Sequence, residues 1–97
     1  MSVAESRPAT AAFVLDKAWQ LDSQVALRDE SFGALAYHYG NRRLVFLKSR
    51  PLVELVSSLE RYPSASAALG AVAPTGQRAS YERALARLAA SGVIDAR

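Results

Sequence analysis

The stretch "YHYGNRRLVFLKSRP", residues 37–51, joins the turn of a hairpin, its second strand and the start of a helix. Gly40-Asn41 predicts a two-residue reverse turn, because glycine accepts the positive φ such turns require. That loop pairs Tyr37 with Leu44 and Leu35 with Phe46. One face of the hairpin is then Leu35, Tyr37, Leu44 and Phe46. The other is Ala34, Ala36, Val45 and Leu47, with His38 opposite Arg43. Both faces are apolar in mid-strand, so both require cover. Pro51 suits the first position of a helix, where its missing N–H costs nothing. Nothing downstream reads as a strand that would pair with "LVFL", so residues 44–47 are expected to form an edge.

Upstream, "VALR" (Val25–Arg28) reads as a short strand, "DES" (Asp29–Ser31) as a turn and "FGALAYHY" (Phe32–Tyr39) as a second strand. The segment "FVLDKAWQLDSQ" carries Phe13 and Trp19, which are expected to lie over the core as a clasp. Residues 1–12 hold few large apolar groups and are expected to form a disordered arm. Downstream, Leu52, Leu55, Val56 and Leu59 follow the spacing of one buried helical stripe. "YPS" ends that helix, and Ser64 can cap a second one with Ala65, Ala68, Leu69 and Val72 inward. A third helix spans about Gln77–Ser91, with Tyr81, Leu85 and Leu88 inside and Arg83 and Arg87 facing solvent. Gly92 fits the residue just past its end, and Val93-Ile94 return to the core. Three short strands followed by three helices make an α+β domain over residues 13–97.

Length, charge and chemistry narrow the function. A chain of 97 residues buries roughly two thirds of its unfolded surface and holds a modest core without staples. It has no cysteine, which excludes disulfides and thiolate metal sites and favours the cytoplasm. "AAFVL" is far too short to span a bilayer, so no membrane role is expected. The net charge of +3 permits nucleic acid without requiring it. The single histidine, His38, cannot build a multi-histidine metal site and is expected at the surface or in a cross-strand role beside Arg43. There is no G-x-S-x-G elbow, and the glycines write neither a phosphate loop nor a dinucleotide fingerprint. No enzyme and no cofactor emerge, and a binding module does.

Two kinds of binding fit the residues. Arg42, Arg43, Arg50 and Arg78 would serve a winged-helix DNA binder, with the basic hairpin and the third helix as its contacts. Against this, Arg43 and Lys48 bracket the apolar strand as gatekeepers do, and Ala, Tyr and Leu dominate the third helix. The other kind is a peptide strand added to the edge "RLVFLK". About five backbone hydrogen bonds at ~1 kcal/mol net are largely offset by the ~4–15 kcal/mol cost of association. Specific binding then needs about three buried aliphatic anchors at ~1.5–3 kcal/mol each, which a groove between edge and helix supplies.

The run "WQLDSQVALRDESFGALAYHYGNRRLVFLKS", Trp19–Ser49, closely resembles the mycofactocin-biosynthesis chaperones of the PqqD-like family. "PLVELVSSLERYPSASAAL" and "LARLAASGVI" keep that family's spacing, so the resemblance covers roughly residues 13–94. It implies a winged-helix-like recognition element for ribosomally made, modified peptides. Such a domain binds the leader of a precursor, here the mycofactocin precursor, as an added strand and hands it to a radical SAM maturase. It implies no catalytic residue. Carried onto this chain, the receiving strand is Arg43, Leu44, Val45, Phe46, Leu47 and Lys48, beside the third helix with Tyr81 and Leu85. Of that helix's two flanks, Arg78–Glu82 is expected to line the groove rather than Ala84–Ser91. The free edge is also open to a second copy, which would make a homodimer.

Overall fold

The computed structural model describes residues 13–97; the arm expected at residues 1–12 lies outside them. Five strands and three α-helices follow in order. Strand β1 is Trp19–Leu21, β2 Val25–Glu30, β3 Gly33–His38, β4 Leu44–Leu47 and β5 Ile94–Ala96. Helix α1 is Arg50–Ser58, α2 Ala65–Val72 and α3 Arg78–Ala90, with a 3-10 turn at Leu59–Arg61. Antiparallel β2-β3-β4 form the three-stranded sheet expected from the sequence, and β1 and β5 form a second, two-stranded one. The segment expected only as a clasp therefore pairs as well as packs: Trp19 meets Ala96 and Leu21 meets Ile94. Each partner is too short to show a strand period in isolation. Trp19 is buried against the Phe13 ring, 5.1 Å away between centroids.

The hairpin register is the expected one, with Tyr37 opposite Leu44 and Leu35 opposite Phe46. Its turn is built differently. The positive φ falls on Arg42 (φ 63°), not on Gly40. The Arg42 N–H reaches back to the His38 carbonyl at 2.7 Å, so the loop is four residues, Tyr39–Arg42. Lengthening a loop by one residue on each side leaves the register unchanged. His38 explains the choice. Its imidazole is buried, and Nδ1 accepts the N–H groups of Gly40 and Asn41 at 3.0 and 3.1 Å. Of the two places expected for it, the cross-strand one beside Arg43 holds, with the His38 N–H on the Arg43 carbonyl, while the surface one is corrected to an internal ring that shapes the turn.

The first turn also shifts. Asp29 and Glu30 belong to β2, and Glu30 pairs with Gly33 across Ser31-Phe32. Gly33 has φ +150°, and a Cβ there would collide with the Leu47 carbonyl, so no other residue lets β3 start so close to β4.

Downstream the expectations meet the structure closely. Ser64 caps α2 as expected, accepting from Ala67 at 3.1 Å; Ser49, not singled out in the sequence, caps α1 by accepting from Leu52 at 3.2 Å, which makes Pro51 the second helical residue rather than the first. Gly92 ends α3 with φ 83°, while Gly92 and Val93 donate to the carbonyls of Ala89 and Leu88. Leu55, Val56, Leu59, Leu69, Leu85, Val93 and Ile94 fill the core with Ala34, Ala36 and Leu47 of the sheet. The helices therefore cover one face of the hairpin. The opposite face stays open: Leu44 and Phe46 are each 55% exposed, with Phe32 packed beside Phe46 at 5.7 Å.

Candidate functional site

Strand β4 pairs with β3 on one side only, and among the described residues no strand occupies its other side. Hydrogen bonds in an antiparallel ladder alternate, so one bond fixes the phase of the rest. The His38 N–H donates to the Arg43 carbonyl at 2.9 Å. Two residues on, the Val45 N–H is therefore turned inward to Ala36. The N–H groups of Leu44 and Phe46 are turned outward.

The edge is pinned at both ends. Asn41 Nδ2 donates to the Ser91 carbonyl at 3.3 Å, tying the hairpin tip to the C-terminus of α3. Arg50 Nη2 donates to the Glu30 carbonyl at 3.2 Å, and Nη1 lies 3.5 Å from Asp29 Oδ1. Between β4 and α3 lies a cleft with two adjoining lobes of about 240 Å³ each. The first lobe is lined by Val45, Phe46, Leu52, Ala84, Arg87, Leu88 and Ser91. The second is lined by Lys48, Ser49, Leu52, Gln77, Ser80, Tyr81, Ala84 and Arg87. Ser49 Oγ and Tyr81 Oη are 2.8 Å apart, which joins the start of α1 to α3 beneath the second lobe.

The structure brings Val45, Phe46, Lys48 and Tyr81 together at this cleft, as expected from the sequence. Other expected residues stand elsewhere. Leu47 and Leu85 are fully buried in the core. Leu44 lies on the open face of the sheet, and Arg43 borders a separate recess with Asp22 and His38. The expected flank of α3 is corrected. Arg78 turns toward α2, where Nη2 donates to Ser66 Oγ at 2.7 Å, and neither Arg78 nor Glu82 lines the cleft. The flank that does is Ala84, Arg87 and Ser91. A helical wheel gives the buried stripe of α3 but not which flank faces β4, because that depends on how α3 docks. Leu52, Gln77, Ser80 and Leu88 were also missed as lining residues. Ala84 carried the available signal, being a small residue beside the buried stripe where a second chain segment has room to approach.

The four arginines of the DNA alternative do not gather into one patch. Arg50 and Arg78 are engaged as described. Arg42 and Arg43 stand with the C-terminus of α3, a helix length of about 20 Å from Arg78. Among the described residues no three His, Asp or Glu side chains group as a metal site, and no helix is long and apolar enough to cross a membrane.

Fold and cleft together define a class, a small α+β domain in which, among the described residues, one sheet edge lies unpaired beside a helix-lined cleft. The chain belongs to the Peptide chaperone MftB family, whose sequence model matches residues 18–95, and it is a chaperone rather than an enzyme. Its relatives are all described as "Peptide chaperone MftB". The protein of Mycolicibacterium smegmatis is 48% identical over 80 residues, covering 81% of this chain and 78% of its own. That of Mycobacterium ulcerans is 41% identical over 92 residues, covering 94% and 84%. That of Mycobacterium tuberculosis is 42% identical over 89 residues, covering 91% and 82%. No solved structure matches the chain.

Proposed function

We propose that this chaperone binds the leader segment of the mycofactocin precursor as a strand added along β4 and presents it to a radical SAM maturase. The observation that carries the reading is the pair of outward N–H groups at Leu44 and Phe46, set beside a lined cleft. Strand addition supplies backbone bonds, and side chains on one face of the guest enter the cleft against Leu52, Ala84 and Leu88. The protein holds and orients the guest, and the maturase performs the chemistry. The absence of cysteine fits work in a reducing cytoplasm. A second copy of this chain pairing along β4 would compete with the guest.

Calorimetry of the full chain with the precursor leader tests binding, and mass spectrometry tests the division of labour. Precursor, chaperone, SAM and reductant should leave the peptide mass unchanged until the maturase is added. A mass change without the maturase, or no heat of binding at millimolar leader, would sink the proposal.

A further inference from the structure

The two lobes of the cleft differ in chemistry, and the difference specifies a guest. The first is mostly apolar, lined by Val45, Phe46, Leu52, Ala84 and Leu88, with Arg87 and Ser91 as its polar members. The second gathers polar donors: Lys48, Arg87, Gln77 and the hydroxyls of Ser49, Ser80 and Tyr81. No carboxylate lines either lobe. Lys48 and Arg87 make no ion pair among the described residues.

The Ser49–Tyr81 pair sharpens the point. Tyr81 is only 9% exposed, and its hydroxyl lies 2.8 Å from Ser49 Oγ, which already accepts the Leu52 N–H. The two hydroxyls own two protons, and one bond between them uses one. Whichever oxygen donates across the pair, one O–H remains free. A part-buried donor with a spare proton, beside two cations and no acid, suits an acceptor that carries charge.

The geometry points to a carboxylate receptor in the second lobe, next to an aliphatic receptor in the first. Resting on the strand-addition reading above, it assigns the guest a sequence class. Side chains on one face of a strand recur every second residue, about 6.7 Å apart. The lobes share Leu52, Ala84 and Arg87, so they adjoin, and one alternation spans them. The recognised segment therefore carries a large aliphatic residue and, two positions away, an Asp or Glu. Arg87 borders both lobes and sets the preference together with Lys48.

The test uses twelve-residue synthetic peptides in a Thr- and Val-rich background. They carry Leu-x-Glu, Glu-x-Leu, Leu-x-Gln, Gln-x-Leu, Leu-x-Lys or Lys-x-Leu at the centre and are titrated into the full chain and into Lys48→Glu/Arg87→Glu. The better of the two glutamate orders should bind the unaltered chain about tenfold or more tighter than its glutamine or lysine counterparts. That preference should weaken with added salt. The charge-reversed variant should prefer lysine instead, and its unchanged circular dichroism should show that it folds. Equal binding of glutamate and lysine peptides, loss of all binding in the variant without reversal, or no binding of any peptide to the unaltered chain would overturn the assignment. Phe46→Pro separates this assignment from the reading beneath it. If glutamate preference survives that substitution undiminished, the carboxylate receptor stands and strand addition along β4 is what fails.

Discussion

The three-stranded sheet has two outer edges, and they are not equivalent. Strand β2 ends in charge: Arg28 and Asp29 are exposed, Arg28 is paired with Glu30 at 2.7 Å, and Asp29 faces Arg50. Strand β4 carries four apolar residues with no charge among them, and a helix-lined cleft runs along it. Among the described residues, both strands present unpaired backbone on one side. Charges in the strand make β2 a poor template for another chain, whereas the charges beside β4 only bracket it. An edge becomes a receptor when outward backbone groups and side-chain pockets lie together.

Proline substitutions give the largest test of this contrast. Val45→Pro removes an inward donor between β3 and β4 and should lower Tm by ~12–24 °C or abolish cooperative unfolding, a loss of about 3 kcal/mol or more. Phe46→Pro removes an outward donor. It should keep the fold, losing ~0.5–1.5 kcal/mol with the Phe32 contact, yet weaken leader binding about thirtyfold or more by calorimetry. On the other edge, the bond from the Tyr39 N–H to the Gln24 carbonyl, 2.8 Å, fixes the phase and leaves Asp29 facing out. Asp29→Pro should leave leader affinity within about twofold, since surface changes away from a site rarely exceed ~0.5 kcal/mol. Equal unfolding by Val45→Pro and Phe46→Pro would mean that β4 is not an edge.

The two flanks of α3 make the next contrast. Ala84→Phe fills the wall shared by both lobes and should cut leader affinity about tenfold or more while the protein stays folded. Arg78→Ala removes the contacts with Ser66 and should cost at most ~1 kcal/mol of stability with no change in affinity. The reverse pattern would restore the Arg78–Glu82 flank as the binding one.

His38→Ala acts on the turn that leads from β3 into β4. It leaves the N–H groups of Gly40 and Asn41 without their acceptor and should cost ~1–3 kcal/mol, seen as a Tm loss of ~4–24 °C. The smallest effect belongs to a control remote from both edges. Ser64→Ala deletes the cap of α2 and should cost ~1 kcal/mol with leader affinity unchanged.

Much of this was legible in the sequence because the decisive signals were local. The hairpin register, the Ser64 cap, Gly92 and the buried stripes each depend on a few neighbouring residues. What was not legible depends on distant partners. Trp19–Leu21 becomes a strand only because Ile94–Ala96 arrives beside it. Arg42 takes the positive φ only because the buried His38 ring claims the Gly40 and Asn41 N–H groups. The cleft followed the same rule. The edge at Val45 and Phe46 could be read because no later segment offers β4 a second partner strand, but the choice between the Ala84–Ser91 and Arg78–Glu82 flanks required the docked position of α3.

The central claim is that β4 and the Ala84–Ser91 flank of α3 receive the guest together. Titrating isotope-labelled full chain with the precursor leader and following backbone amide shifts tests it most directly. The largest changes should fall on Leu44, Phe46 and Lys48 and on Ala84, Arg87 and Ser91, with β2 unmoved. Changes concentrated on β2, on Arg78 and Glu82, or on Trp19 and its partner strand would contradict the account.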